Sequence, residues 1–242
     1  MKEKLRWASL ISGGGTTMQA MADACLPGGE LSELVEPVGV ISSRQSVGGI
    51  TKAQELGIPV VVIPRRDYKP DDAGTAAYGE ALLSALKKFA PDIVTLNGFL
   101  ARVSPAVIEA YRQGIFNQHP GPVPDFGGGG MYGRRVHAAV LIFNRLTART
   151  DPYTTVVAQL VDPCFDQGET VGFRTVPIQK NDTVDLLAQR TLPVEHQVQI
   201  RLLKDYADGQ IYPAKPEEYV RRGEEVILYL AKETGKALYP NG

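Results

Sequence analysis

Three short segments carry residue types suited to chemistry at a carbonyl carbon. The first is Asn117-Gln118-His119-Pro120. At the end of a strand, residues two apart share a face, so the Asn117 amide and the His119 ring can converge on one point. An amide N–H and an imidazolium both donate hydrogen bonds, which is what a developing oxyanion needs when an amine attacks a carbonyl. Pro120 bars the strand from continuing and holds the turn. The second segment, Val161-Asp162-Pro163-Cys164-Phe165-Asp166-Gln167-Gly168, is a tight loop with two carboxylates. There Asp166 would orient His119, raise its pKa by charge pairing and take the proton that an attacking amine must lose. The third, Ser12-Gly13-Gly14-Gly15-Thr16-Thr17, suits an anion. Its glycines bring backbone N–H groups close to a ligand, and the helix N-terminus behind them favours negative charge.

Each segment also has a plain structural account. Asn117 can cap a turn, His119 can be a satisfied histidine, residues 161–168 are rich in turn formers, and the glycines can be a turn with a Thr N-cap. Taken singly, the segments leave both accounts open. The dinucleotide fingerprint is incomplete, because Met18 stands at its third glycine and the second strand ends in Ser42-Ser43-Arg44 without an acid. No Gly-Lys-Thr follows the glycines, which excludes a Walker loop. His137, after Arg134-Arg135, reads as a helix-surface residue, Cys164 as a packing residue, and Glu195-His196 as a solvated helix face.

The elements that must position these residues alternate in type. Apolar runs predict strands at 5–12, 37–42, 58–63, 93–96, 115–118, 154–160 and 170–176. Helical spacing predicts helices at 16–24, 47–56 closed by Gly57, 73–89 capped by Asp72, 106–111, 136–146, 183–207 and 217–234. Pro193 should kink or interrupt the sixth of these. Residues 119–133 form a long Pro/Gly-rich loop, and such loops are more often functional than idle. This order predicts an α/β fold with a mostly parallel central sheet, helices on both faces and an antiparallel portion in the second half. One domain is expected over 1–212, with 213–242 as a C-terminal extension carrying a helix.

Composition narrows the classes. The 242 residues are 43% hydrophobic and 22% charged, with a formal net charge of −1, as in an ordinary globular protein. That balance argues against a broad nucleic-acid surface. Cys25 and Cys164 lie far apart and lack metal-ligand spacing, which points to a reducing compartment and to neither a disulfide framework nor a metal site. The apolar run after the charged start is too short for a signal peptide or a membrane span, so a cytoplasmic protein without membrane partners is expected.

In order, the segments resemble the glycinamide ribonucleotide formyltransferases, folate-dependent enzymes of purine synthesis. The resemblance runs through Leu10-Ile11-Ser12-Gly13-Gly14-Gly15, Asn97-Gly98-Phe99, Ser104-Pro105, Asn117-Gln118-His119-Pro120, Asp166-Gln167-Gly168, Val176-Pro177-Ile178, Asp182-Thr183 and Glu195-His196. It implies a Rossmann-like formyltransferase fold, 10-formyltetrahydrofolate as formyl donor, no metal, and direct attack by the glycinamide amine without a covalent enzyme intermediate. By position, it implies that Asn117 and His119 stabilise the tetrahedral intermediate and that Asp166 pairs with His119 and assists proton transfer. Gly14, Gly15, Thr16 and Thr17 would hold the substrate phosphate, with Glu195 near the ribose or phosphate. Leu100, Ala101, Arg102 and Val103 on one side, and Asp162, Pro163, Cys164 and Phe165 on the other, would hold the folate. Small-molecule substrates and a monomer or homodimer are expected.

The chain departs from the family pattern at four places. Ala101 stands where an Arg is usual, with Arg102 one later; Gln159 stands where a His is often found; Leu192 stands for a basic residue, with Arg190 nearby; and 127–135 is longer. Another amine acceptor such as an amino sugar nucleotide, an NADP-dependent reductase using Arg44, or a non-catalytic relative are the competing readings. The reductase leaves Asn117, His119 and Asp166 without a joint role.

Overall fold

Apolar, β-branched runs pair side by side in the computed structural model, which describes residues 3–242. The seven strands are β1 (Leu5–Ile11), β2 (Val35–Ser42), β3 (Val60–Val62), β4 (Ile93–Leu96), β5 (Ile115–His119), β6 (Tyr153–Leu160) and β7 (Thr170–Pro177). Their order is β3-β2-β1-β4-β5-β6-β7. The pairs β1/β2, β1/β4, β2/β3 and β4/β5 are parallel, and β6/β7 is antiparallel. The expected α/β fold with an antiparallel second half is therefore what forms. Two compact units divide the chain: one runs to Asn117 and takes in Gln199–Ile211, and the other comprises Gln118–Val198 and Tyr212–Gly242. Among the described residues no helix is long and apolar enough to cross a membrane.

In the first unit the crossovers are α1 (Thr16–Asp23), α2 (Gly48–Glu55), α3 (Asp72–Phe89) and α4 (Pro105–Ala110). Trp7, Leu10, Ile11, Met18, Met21 and Ile41 are fully buried between these layers. A line of buried polar groups pins β1 to β4. Trp7 Nε1 donates to Thr95 Oγ1 at 2.8 Å, and both Ser9 and Thr95 hydroxyls donate to Asn97 Oδ1 at 2.7 Å. Slipping the register would strand these groups without partners, at a cost of about 1–3 kcal/mol each. At the strand tips the Leu100 N–H donates to Ser12 Oγ at 2.8 Å, and the Ser12 and Ser43 hydroxyls share a hydrogen bond.

Three expected details differ here. Asp71, not Asp72, caps α3, accepting the Gly74 N–H at 2.7 Å. Asp71 has the extended backbone an N-cap requires, whereas Asp72 is already helical. Gly15 rather than a threonine caps α1, with φ 64 and no side-chain bond. A Cβ there would lie 2.7 Å from the Gly49 Cα, so the loop packs on the start of α2 in a way only glycine permits. β3 starts at Val60 because the Ile58 N–H is taken by Ala53 O at the end of α2.

The second unit holds β6, β7, α5 (Arg134–Leu146) and α7 (Glu225–Leu238). Between the units' segments, α6 (Val184–Ala207) runs through Pro193 uninterrupted, contrary to expectation. Pro193 and Gln189 are both exposed, so the carbonyl that the proline leaves unpaired faces water and the lost bond is cheap.

The last helix was expected over 217–234 and begins instead at Glu225. Tertiary contacts hold the preceding residues out of the helix. Tyr219 and Val220 enter a buried cluster with Phe126, Met131, Val136, Val140, Phe143 and Ala231. The Tyr219 ring meets Phe126 edge-on at 5.4 Å and Tyr153 at 5.1 Å. Its hydroxyl donates to Tyr153 O and accepts from Asn144 Nδ2. Arg149 donates to Tyr219 O at 2.8 Å and to Glu224 at 2.6 Å.

Tyr219→Phe keeps the ring packing and leaves the Tyr153 carbonyl without its donor. Urea denaturation should show a loss of about 1–3 kcal/mol with unchanged m-value. A loss below about 0.5 kcal/mol would mean that water replaces the hydroxyl there.

Candidate active site

The end of β5 sets the geometry. His119 is buried, with 3% of its surface exposed. Its Nε2 lies 3.1 Å from Phe126 O, so that nitrogen carries the proton and donates to the carbonyl. In the neutral ring Nδ1 is then a lone pair, and it faces Asp166 Oδ1 at 3.6 Å. Asp166 is held from two further sides. Its Oδ2 accepts the Gly128 N–H at 2.9 Å, and its Oδ1 accepts from Gln159 Nε2 at 2.8 Å.

Backbone conformation is committed to this arrangement. Asp166 adopts φ 56, a left-handed conformation that non-glycine residues rarely hold without a reason. The Asp166 side chain lies against Gly127, where a Cβ would stand 2.4 Å from the Asp166 Cβ. Residue 127 must therefore be glycine for the carboxylate to sit where it does.

Burial decides the charge state of His119. Asp166 and the Phe126 carbonyl favour the imidazolium, but desolvation outweighs them, and Lys232 adds to it. Asp166 does raise the His119 pKa, as expected, but burial outweighs it and the pKa falls below its ordinary value. At rest the ring is neutral. His137 is also corrected: it is buried on α5 rather than on a helix surface, and its Nδ1 has no partner among the described residues. Burial first, and His119 second, push its pKa down to about 4.

Asn117 stands in register with Leu96 of β4, two residues before His119 on β5 and so on the same face. Gln118, pointing the other way, donates its Nε2 to Glu195. Glu195 is thus no solvated helix residue. Burial raises its pKa to about 7, against the opposing bonds from Gln118 and Thr191.

The remaining expected residues are placed within their own units. In the first, Gly14 has open space where a side chain would be, Gly15 makes the left-handed turn, and Thr16 and Thr17 open α1. Leu100 and Arg102 are exposed, while Ala101 and Val103 are buried. Leu100 and Ala101 line a cavity of about 420 Å³ with Ser43, Arg44, Gln45, Arg65 and Arg66. In the second unit, Asp162, Pro163, Cys164 and Phe165 are all exposed, so Cys164 does not pack as expected. A bond from the Cys164 N–H to Asp162 Oδ1 at 2.9 Å forms the turn and leaves the thiol outside. Arg190 is occupied by both oxygens of Asp182, which removes it as a substitute phosphate contact. Among the described residues no cluster of three or more His, Cys, Asp or Glu side chains could hold a metal ion.

Gln159, the Phe126 carbonyl, the Gly128 amide and Lys232 belong to this centre as well. Only Gln159 had a sequence signal, as a departure from a family pattern. The other three act through backbone atoms or from a distant helix, which no local motif reveals.

The Formyl transferase family matches residues 5–203. The chain belongs to the formyl transferase family. It is 31% identical over 207 residues to the chloroplastic phosphoribosylglycinamide formyltransferase of Vigna unguiculata, covering 84% of this chain and 61% of that protein. It shares 31% identity over 209 residues with the trifunctional purine biosynthetic protein adenosine-3 of Bos taurus, covering 86% of this chain and 19% of that one. The chain thus spans less than two thirds of the length of either curated relative. A crystal structure of phosphoribosylglycinamide formyltransferase from Brucella melitensis matches with a TM-score of 0.71 and 30% identity, over 88% of this chain and 100% of that one. The formyl transferase fold accounts for the sheet order.

The two buried histidines give this family member a testable pH dependence. His137 titrates at about 4 in the fold against 6.5 ordinarily, so its stabilising contribution is complete above pH 6.5 and is lost as pH falls toward 4. Its share of that loss is roughly 3 kcal/mol. Urea melts from pH 7.5 downward should lose stability across this window in the wild type and lose distinctly less in His137→Leu. Parallel curves for the two proteins would sink the assignment.

Proposed function

We propose that the protein transfers the formyl group of 10-formyltetrahydrofolate to the amine of glycinamide ribonucleotide, a step of de novo purine synthesis. Membership of the family, and relatives that carry this activity in their names, support the reading. The observation that carries it is the buried His119–Asp166 pair, held by Phe126, Gly128 and Gln159 within the family-matched residues. A merely structural histidine would not need a carboxylate held in a left-handed backbone beside it.

In this mechanism the amine nitrogen attacks the formyl carbon and the carbonyl oxygen becomes an oxyanion. The Asn117 amide N–H donates to that oxygen. The attacking nitrogen, now positive, releases a proton to the pair formed by the neutral His119 ring and the Asp166 carboxylate. The ring so protonated donates to both Phe126 O and Asp166, and its charge stabilises the intermediate. The proton then passes to N10 of the folate, the C–N10 bond breaks, and tetrahydrofolate leaves beside the formylated amine. One proton is lost by the acceptor and one gained by the donor, so the pair returns to its starting state.

The open glycine loop at Gly14–Thr17 suits the substrate phosphate, and the half-buried Glu195 suits a ribose hydroxyl. The cavity beside Leu100 and Ala101 and the exposed 162–165 turn suit the folate, largely through backbone groups. A transferase domain over 1–212, with 213–242 appended, is the organisation we favour. Two free cysteines, Cys25 and Cys164, support a reducing, cytoplasmic setting.

Purified protein given both substrates should release tetrahydrofolate. Asn117→Ala and Asp166→Ala should each lower kcat by about a hundredfold or more. Because burial lowers the His119 pKa, kcat/KM should hold its plateau down through pH 6.5 and fall only below it. Turnover with an amino sugar nucleotide but not with glycinamide ribonucleotide would reassign the acceptor, and tight NADP binding without folate binding would favour a reductase.

A further inference from the structure

We propose that Lys232, on the C-terminal helix and outside the family-matched residues 5–203, is a positioning residue for the His119–Asp166 pair, clamping the loop that holds it. The inference rests on the transferase reading for its kinetic arm alone.

Segment 125–128 has two polar faces. Toward the site, Phe126 O accepts from His119 and the Gly128 N–H donates to Asp166. Away from it, Asp125 O and Gly127 O both accept from Lys232 Nζ, at 2.7 and 2.8 Å. The 127–128 peptide group thus joins the two sides directly, its N–H on Asp166 and its C=O on the ammonium, while the peptide before it serves His119 and the one before that serves Lys232.

This loop needs an external hold. Residues 127–130 are four consecutive glycines, which have no side chains to pack and lose the most backbone entropy on ordering. Phe126 anchors one end in the buried cluster. Arg135 fastens the other, donating to Gly130 O at 2.8 Å and to Tyr239 O at 2.8 Å just beyond α7. Lys232 lies between these anchors, next to Ala231, which packs in that same cluster. Its burial lowers its pKa, while Asp125 and Asp166 oppose that fall and Lys236 adds to it. A half-buried ammonium bonded to two loop carbonyls is a fixed point from which the loop can be aimed.

The test compares full-length wild type with Lys232→Met, which keeps the stem and removes the donors, and Lys232→Arg, which keeps them. Lys232→Gln, whose shorter uncharged side chain keeps two N–H donors, replaces the Met variant should that fail to fold. Amide exchange at Gly128, thermal melting, and kcat and KM for formyl transfer are measured on each. Lys232→Met should exchange Gly128 about tenfold faster and lose about tenfold to a hundredfold in kcat, with KM changed by less than about threefold, and Lys232→Arg should restore most of both. An inactive wild type with faster Gly128 exchange in Lys232→Met would uphold the clamp while removing the transferase reading. A folded Lys232→Met with Gly128 protected as in wild type would overturn the clamp, whatever its kcat.

Discussion

A carboxylate and an imidazole shut away from water side by side are the constraint around which the second unit is arranged. Neither group keeps an ionised form in a dry site without partners. Asp166 remains an acceptor because the Gly128 amide and the Gln159 side chain each give it a proton donor. His119 is spared a charge because burial outweighs the attraction of that carboxylate. Asp166 and the Phe126 carbonyl oppose that effect without reversing it, which leaves an unprotonated ring nitrogen facing Asp166 Oδ1 at 3.6 Å. In the proposed formyl transfer, this pair would take up one proton and return it within each turnover.

Every partner of this pair comes from a segment with little structure of its own. The Phe126 carbonyl and the Gly128 amide lie in a glycine-rich loop, and Asp166 sits in a turn. Order must then be imported from packing. Phe126 is locked by edge-on contact with Phe143 and Tyr219, and Tyr219 is in turn held by Asn144, Tyr153 and Arg149. The aromatic cluster and the C-terminal helix thus hold the loop through residues about a hundred positions away along the chain.

What was legible in the sequence follows this division. Strand periodicity located β5 and the parallel half of the sheet, because alternation and β-branching are local properties. The His119–Asp166 pairing was legible through a family resemblance, whereas residue types alone left it open. Charge pairing can be read from letters, but the burial that reversed the His119 shift belongs to the fold. His137 departs from its surface reading for the same reason, because burial of the helix face it occupies is a property of the fold that no local pattern names. The start of α7 was misplaced because Tyr219 gains more from aromatic packing and two hydroxyl bonds than from helical continuation, and a periodicity argument contains no such comparison.

Gln159 shows how a carboxylate can fix the orientation of a neighbouring side chain. Its Nε2 donates to Asp166, and its Oε1 is buried without a partner among the described residues. Rotating the amide would relieve neither atom, since it would set a carbonyl oxygen against a carboxylate. The orientation is therefore imposed by Asp166, and the unpaired oxygen is the cost of keeping a donor there. An amide also does not titrate in the physiological range, unlike an imidazole at the same place. The donor facing Asp166 therefore does not change with pH.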